Sequence, residues 1–178
     1  SCNLGSAVST EIISGDLNDI YLVKPIERLL DAQHRISDLL TRKNITVGIV
    51  GGGPSAVEIA GNLWRLSRNK GPRKTHIRIF TKNTIMPNHP EKIRRKAASS
   101  LRQRGVEILS HCDVSEISTG RIVESSGQNH SLDVIFVATG VRPNSVLAAS
   151  GIPVGPEGGM RVNRMLQSTR YPNIFGGG

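Results

Sequence analysis

The stretch Thr46-Val47-Gly48-Ile49-Val50-Gly51-Gly52-Gly53-Pro54-Ser55-Ala56-Val57-Glu58 leaves the chain few folds to choose from. It opens with the short, β-branched run Ile45 to Val50, which suits a strand buried on both faces of a parallel sheet. Gly51, Gly53 and Ala56 then fall on the G-x-G-x-x-G/A spacing of a dinucleotide-binding turn. The first small residue permits the tight turn, the second lets a pyrophosphate approach the backbone, and the third lets helix and strand pack closely. Gly52 completes the turn, and Pro54 and Ser55 stand at the helix start. There, free N–H groups and the positive end of the helix dipole would hold phosphates. The spacing alone is weak; its place between a strand and a helix makes it a candidate site. The plain alternative is a structural turn with no ligand.

Around this turn the chain reads as alternating strands and helices. Residues Ser1 to Tyr21 hold turn formers (Gly5, Gly15, Asp16, Asn18) and no sustained period. Lys24-Pro25 then opens a helix to about Leu40, with Ile26, Leu29, Leu30, Ile36, Leu39 and Leu40 at helical spacing. After the glycine turn, Val57, Ile59, Ala60, Leu63, Trp64 and Leu66 make the apolar face of a second helix, stopped near Gly71-Pro72. Thr75 to Thr81 is a strand, Pro90 to Arg104 a very basic helix closed by Gly105, and Val106 to Leu109 a third parallel strand. Such alternation predicts an α/β fold with a Rossmann-like, doubly wound parallel sheet.

Beyond Leu109 the pattern shortens to Asp113–Ile117, Arg121–Glu124 and Ser131–Val137, separated by turn residues, which predicts a β-meander. The nearly all-apolar Asp133 to Val137 is expected to rejoin the parallel sheet and to end at Ala138-Thr139-Gly140. Strand ends of this kind face the ligand crevice of open α/β sheets, so Ala138, Thr139 and Gly140 are candidate site residues. A plain strand-end turn is the alternative for them.

A net charge of +9 raises the question of anionic partners, nucleic acid among them. Aromatic residues make up only 3%, which offers little for stacking bases, so no nucleic-acid partner is expected. A basic module for nucleic acid or an acidic protein, with a vestigial turn, is the competing function; it needs the basic residues gathered on one face. On the third helix, Lys92, Arg94, Arg95, Lys96, Arg102 and Arg104 spread around much of the circumference instead. Cys2 and Cys112 form no redox pair, and the five histidines show no metal-ligand spacing. No catalytic residue and no metal ligand are assigned.

In their order, the glycine turn, the meander, Ala138-Thr139-Gly140-Val141-Arg142-Pro143-Asn144 and the tail Tyr171-Pro172-Asn173-Ile174-Phe175-Gly176-Gly177-Gly178 are familiar. The chain resembles the nicotinamide-nucleotide-binding domain of the pyridine nucleotide-disulfide oxidoreductase superfamily of flavoproteins, in particular its type II NADH dehydrogenase-like branch. That resemblance implies an FAD/NAD(P)-binding type of domain with a β-meander crossover. It also implies a piece of a larger flavoenzyme, inactive alone: residues 1–23 flanking from the FAD domain, 24–159 binding NAD(P)H, and 160–178 returning to the FAD domain of the same polypeptide. Hydride would pass from NAD(P)H to FAD and on to a quinone or another acceptor. The whole protein would be cytoplasmic or peripheral to a membrane, with a homodimer open to it.

The resemblance also carries roles. Gly51, Gly52, Gly53, Pro54, Ser55 and Ala56 would hold the pyrophosphate, Glu58 would stand near the nicotinamide end, and Ala138, Thr139 and Gly140 would form the opposite wall. Glu58 has a plain alternative as a first-turn carboxylate favoured by the helix dipole. At the end of the second strand an acidic residue would favour NAD, whereas basic residues accommodate a 2′-phosphate. Thr81 and Lys82 stand there, which leans the expectation toward NADPH.

Overall fold

The computed structural model describes residues 1–2, 4–69 and 73–177. The predicted helix stop at Gly71-Pro72 lies outside the described residues. In chain order the elements are β1 (Ser6–Val8), β2 (Ile20–Leu22), α1 (Glu27–Arg42), β3 (Ile45–Val50) and α2 (Pro54–Asn69). There follow β4 (Thr75–Thr81), α3 (Glu91–Gln103), β5 (Glu107–Ser110), β6 (Val114–Ser118) and β7 (Arg121–Glu124). The last are β8 (Asn129–Ser131), β9 (Val134–Val137), β10 (Val141–Pro143) and α4 (Val146–Ala149). They divide into two compact units, Thr10–Gly140 and Ser1–Ser9 with Val141–Gly178.

The larger unit is built on a five-stranded parallel sheet in the order β2-β9-β3-β4-β5. Strand parity sorts its side chains into two faces. Val47, Ile49, Ile77, Ile79, Val134 and Phe136 point to one side and join Ala32, Ile36, Ala60 and Leu63 of α1 and α2 in the main core. The alternate residues Phe80, Ile135 and Val137 are equally buried but belong to the other face. There the antiparallel sheet β6-β7-β8 supplies the cover, with Ile117 and Ile122 wholly buried and His130 edge-on to Phe80 at 4.9 Å. Helices on one face and a meander on the other make the expected α/β fold with a β-meander crossover, but the sheet is not doubly wound, because the meander takes the face a second helical layer would cover.

Several expectations are adjusted. Segment 1–21 contains β1 and most of β2 where no strand was legible; β2 forms one edge of the parallel sheet by pairing with β9. The predicted strand Ser131–Val137 is two strands, because Asp133 breaks it. Its carboxylate accepts from the Thr46 amide at 2.7 Å and pairs with Lys43, which pins the start of β9 to the start of β3. Helix α1 begins at Glu27 and buries Ala32, Ile36, Leu39 and Leu40, whereas Ile26 and Leu30 lie off that face and are exposed.

The smaller unit pairs β1 with β10 antiparallel, Ser6 opposite Pro143. The rest of it is held by isolated bridges, among them Val162 with Ser168 and Gln167 with Phe175.

Candidate functional site

The predicted glycine turn joins β3 to α2 at the carboxyl end of the parallel sheet, and its glycines have different reasons to be glycine. Gly51 has φ +131°, and a Cβ there would stand 2.2 Å from the Ala138 carbonyl oxygen. Its amide donates to the Phe80 carbonyl at 2.8 Å, so the turn is tied to both neighbouring strands. A Cβ on Gly52 would meet the Thr81 hydroxyl at 2.3 Å. Gly53 differs from both: its φ is ordinary and nothing lies within 4 Å of its missing Cβ. Packing therefore explains Gly51 and Gly52 and leaves Gly53 unexplained. An open, side-chain-free backbone is what a pyrophosphate needs in order to approach.

Helix α2 begins at Pro54, which has no N–H to leave unsatisfied, and its ring fixes φ for the first turn. The amides of Ser55 and Ala56 have no helical carbonyl four residues behind them. No acidic residue occupies this first turn, so the positive end of the helix dipole stands uncompensated. Pro54 and Ser55 are exposed, while Ala56 is fully buried and brings the helix close to the strand. Glu58 is exposed but sits beyond the first turn, so the dipole does not account for it.

Ala138 closes the other side, its amide donating to the Val50 carbonyl at 2.7 Å. Thr139 and Gly140 are exposed just past it, Gly140 with φ +94°. The structure thus brings residues 51–56 and 138–140 together at the ends of β3 and β9. Thr81 lies at the end of β4, but it is buried with its hydroxyl beside Gly52, not directed outward. Lys82 is exposed and paired with Asp113 at 2.9 Å. Sequence reasoning missed one part of the frame. The loop after β4 wraps the turn, Met86 donating to the Gly52 carbonyl at 2.6 Å and the Thr84 carbonyl standing 3.0 Å from where a Gly52 Cβ would be. No spacing in Thr84 to Met86 announces this.

A polar chain running from the buried His130 to the exposed Glu107 was also unforeseen. His130 meets Glu124 at 2.6 Å and Arg78 at 3.2 Å, and Arg78 pairs with Glu107 at 2.7 Å. The His130 hydrogen bond holds the Glu124 carboxyl below its ordinary range, and the Arg78 guanidinium does the same for Glu107. Cys112 is buried next to Glu124, and burial pushes its thiol up to about 12. A thiol held neutral in this way is no nucleophile. Among the described residues no group of His, Cys, Asp or Glu could hold a metal ion. Among the described residues, too, no helix is long and apolar enough to cross a membrane.

A strand-turn-helix with open amides at the helix start, opposed by a second strand end on a parallel sheet, is the architecture of a dinucleotide-binding type of α/β domain. Residues 5–178 match the family model described as pyridine nucleotide-disulphide oxidoreductase, and the chain belongs to that family. It is 28% identical over 128 residues to the NADH dehydrogenase-like protein YutJ of Bacillus subtilis, covering 71% of this chain and 34% of that protein. It is 22% identical over 134 residues to the mitochondrial internal alternative NAD(P)H-ubiquinone oxidoreductase A1 of Arabidopsis thaliana, covering 71% of this chain and 26% of that one. Among solved structures, reduced CoADR-RHD of Bacillus anthracis superposes with a TM-score of 0.78 at 20% identity, over 97% of this chain and 30% of that one. The chain therefore spans about a third or less of each of these proteins.

Proposed function

We propose that this chain is the nicotinamide-dinucleotide-binding domain of an FAD-dependent oxidoreductase, in which NAD(P)H reduces a flavin held by another domain and the electrons pass on to a quinone or other acceptor. The observation that carries it is Gly53, a glycine that neither its backbone angle nor its neighbours require. With Ser55 and Ala56 it offers backbone amides to a pyrophosphate at a helix start that no first-turn acid neutralises. Thr139 and Gly140 form the facing wall. The dinucleotide supplies the hydride chemistry; this chain's residues bind and orient it. Family membership and the two relatives named above support the same reading.

The end of β4 bears on which dinucleotide is held. The strand itself ends without a carboxylate, in the buried Thr81 and the exposed Lys82, and the acid brought beside it, Asp113, is engaged by Lys82 at 2.9 Å. We take the phosphorylated form, NADPH, as the preferred partner. The experiment is a titration of the chain with NADH and with NADPH, read by nicotinamide fluorescence. Saturable binding of at least one, tighter for NADPH, is expected; failure of both to bind at millimolar concentration would overturn the proposal.

A further inference from the structure

Helix α3 and strand β5 line a groove that includes none of the residues of the glycine turn or its facing wall. Its volume is about 480 Å³, within the range of small-molecule pockets. Arg94, Arg95 and Arg102 line it together with the hydroxyl residues Thr84, Ser99 and Ser110. The helical spacing puts Arg94, Arg95, Ser99 and Arg102 on one side of α3, so three of the six basic residues on and just beyond this helix share one concave surface. Lys92, Lys96 and Arg104 do not line it, so the basic residues spread around the helix as expected while three of them converge on the groove.

The guanidinium groups in this groove are poorly satisfied by the protein. Arg94 donates from Nη1 to the Thr84 hydroxyl at 3.3 Å, while its Nε is shielded from solvent with no partner. A buried, unpartnered donor carries a desolvation cost that a bound acceptor relieves. Arg95 has a loose pairing with Glu91 at 3.5 Å, both side chains exposed, and Glu91 supplies the one carboxylate among the lining residues. The net balance is positive. Arginine's planar fork matches phosphate oxygens two at a time, and hydroxyls complete such a site as donors.

We propose that the α3–β5 groove binds the phosphomonoester group of a small organic molecule, with Arg94 and Arg102 as its principal cations. That group could be borne by a free organic phosphate or by the dinucleotide itself as its 2′-phosphate. Thr84, bonded to Arg94, belongs to the loop that wraps the glycine turn. The groove thus abuts that turn without including any residue assigned to it.

The test is calorimetric titration of the 178-residue chain with inorganic phosphate and with adenosine 2′,5′-bisphosphate, ionic strength held constant with chloride. Both are expected to bind saturably. The double variant Arg94→Gln/Arg102→Gln should weaken phosphate at least about tenfold, whereas Lys92→Gln/Lys96→Gln, with the same change in charge on the same helix, should stay within about twofold. Circular dichroism of both variants separates lost binding from lost fold. Displacement of phosphate by NADPH and not by NADH identifies the cofactor as the source; displacement by neither identifies a separate organic phosphate. Absence of saturable binding, equal weakening by the lysine control, or equal displacement by NADH and NADPH would each overturn the site. None of these results touches dinucleotide binding at Gly53, which the NADH titration reads independently.

Discussion

The backbone of Gly51 passes so close to the Ala138 carbonyl oxygen that a methyl group on Gly51 would stand 2.2 Å from it. Two strand ends that would form the two walls of the dinucleotide site are thereby fixed against each other by a contact no side chain can enter. Gly51→Ala should cost stability by about 2–4 kcal/mol, combining the clash with a backbone angle that alanine rarely adopts. It should also abolish NAD(P)H binding. Gly53→Ala is the informative partner: denaturant melts should show little change, whereas dinucleotide affinity should fall by about tenfold or more, because the added methyl occupies the approach of the pyrophosphate. Equal losses of stability in the two variants would contradict the distinction between them.

Lys82 and Asp113 make a second pair with a functional reading. Lys82 is mostly exposed and Asp113 half exposed, so their ion pair adds little to stability. Lys82→Gln should lower NADPH affinity by about threefold to tenfold and leave NADH nearly unchanged. Asp113→Asn, which releases the lysine, should move the NADPH/NADH ratio the opposite way. Parallel fluorescence titrations of the two nucleotides would measure it.

The polar chain through Arg78 makes a prediction about acid. Glu107 and Glu124 both titrate below their ordinary value of 4.5, through Arg78 and His130 respectively. A carboxyl depressed on folding contributes stability that is fully present above its unfolded pKa and is lost as the pH falls through the folded one. Stability should therefore decline as the pH drops below about 4.5, on top of any general charge effect. Glu124→Gln should be less stable than the parent at neutral pH, by about 1 kcal/mol, with the gap closing in acid. Urea midpoints of both proteins across this range would show it; a gap independent of pH would place the acid sensitivity elsewhere.

The two cysteines should separate cleanly under a thiol reagent. Cys112 is buried with its thiol pushed up to about 12, so it should resist modification in the native chain at mildly alkaline pH. Cys2, partly exposed, should react without denaturant. The colour yield should correspond to one thiol before unfolding and two after it.

What could be read directly from residues was whatever short-range pattern determines. Strands β3 and β4 were legible to the residue, because Ile45–Val50 is a β-branched, mostly apolar run and Thr75–Thr81 is apolar at alternate positions and then at its end. The glycine turn was legible because its spacing is set by sterics within six residues. Strand β2 was not. Three residues, Ile20–Leu22, carry no period of their own and become a strand only against Ile135–Val137 far along the chain. The same limit hid the partner of Lys82 and the inward turn of Thr81, since both depend on which loop the sheet brings beside the end of β4. The histidines had no metal spacing, yet His130 proved to be the buried end of a polar network, a role that depends on Phe80 and Glu124 coming together across two sheets.

The pairing of β2 with β9 also bears on how this domain can be handled. Val134–Val137 is wholly buried, with β3 on one side and Ile20–Leu22 on the other. A chain trimmed to begin at the first helix would keep the glycine turn and most of the core, but would uncover one side of β9. Four consecutive apolar residues with unpaired amides and carbonyls are a template for strand exchange between molecules. Colloidal behaviour, well before nucleotide affinity, is where the loss of Ile20–Leu22 would first be felt.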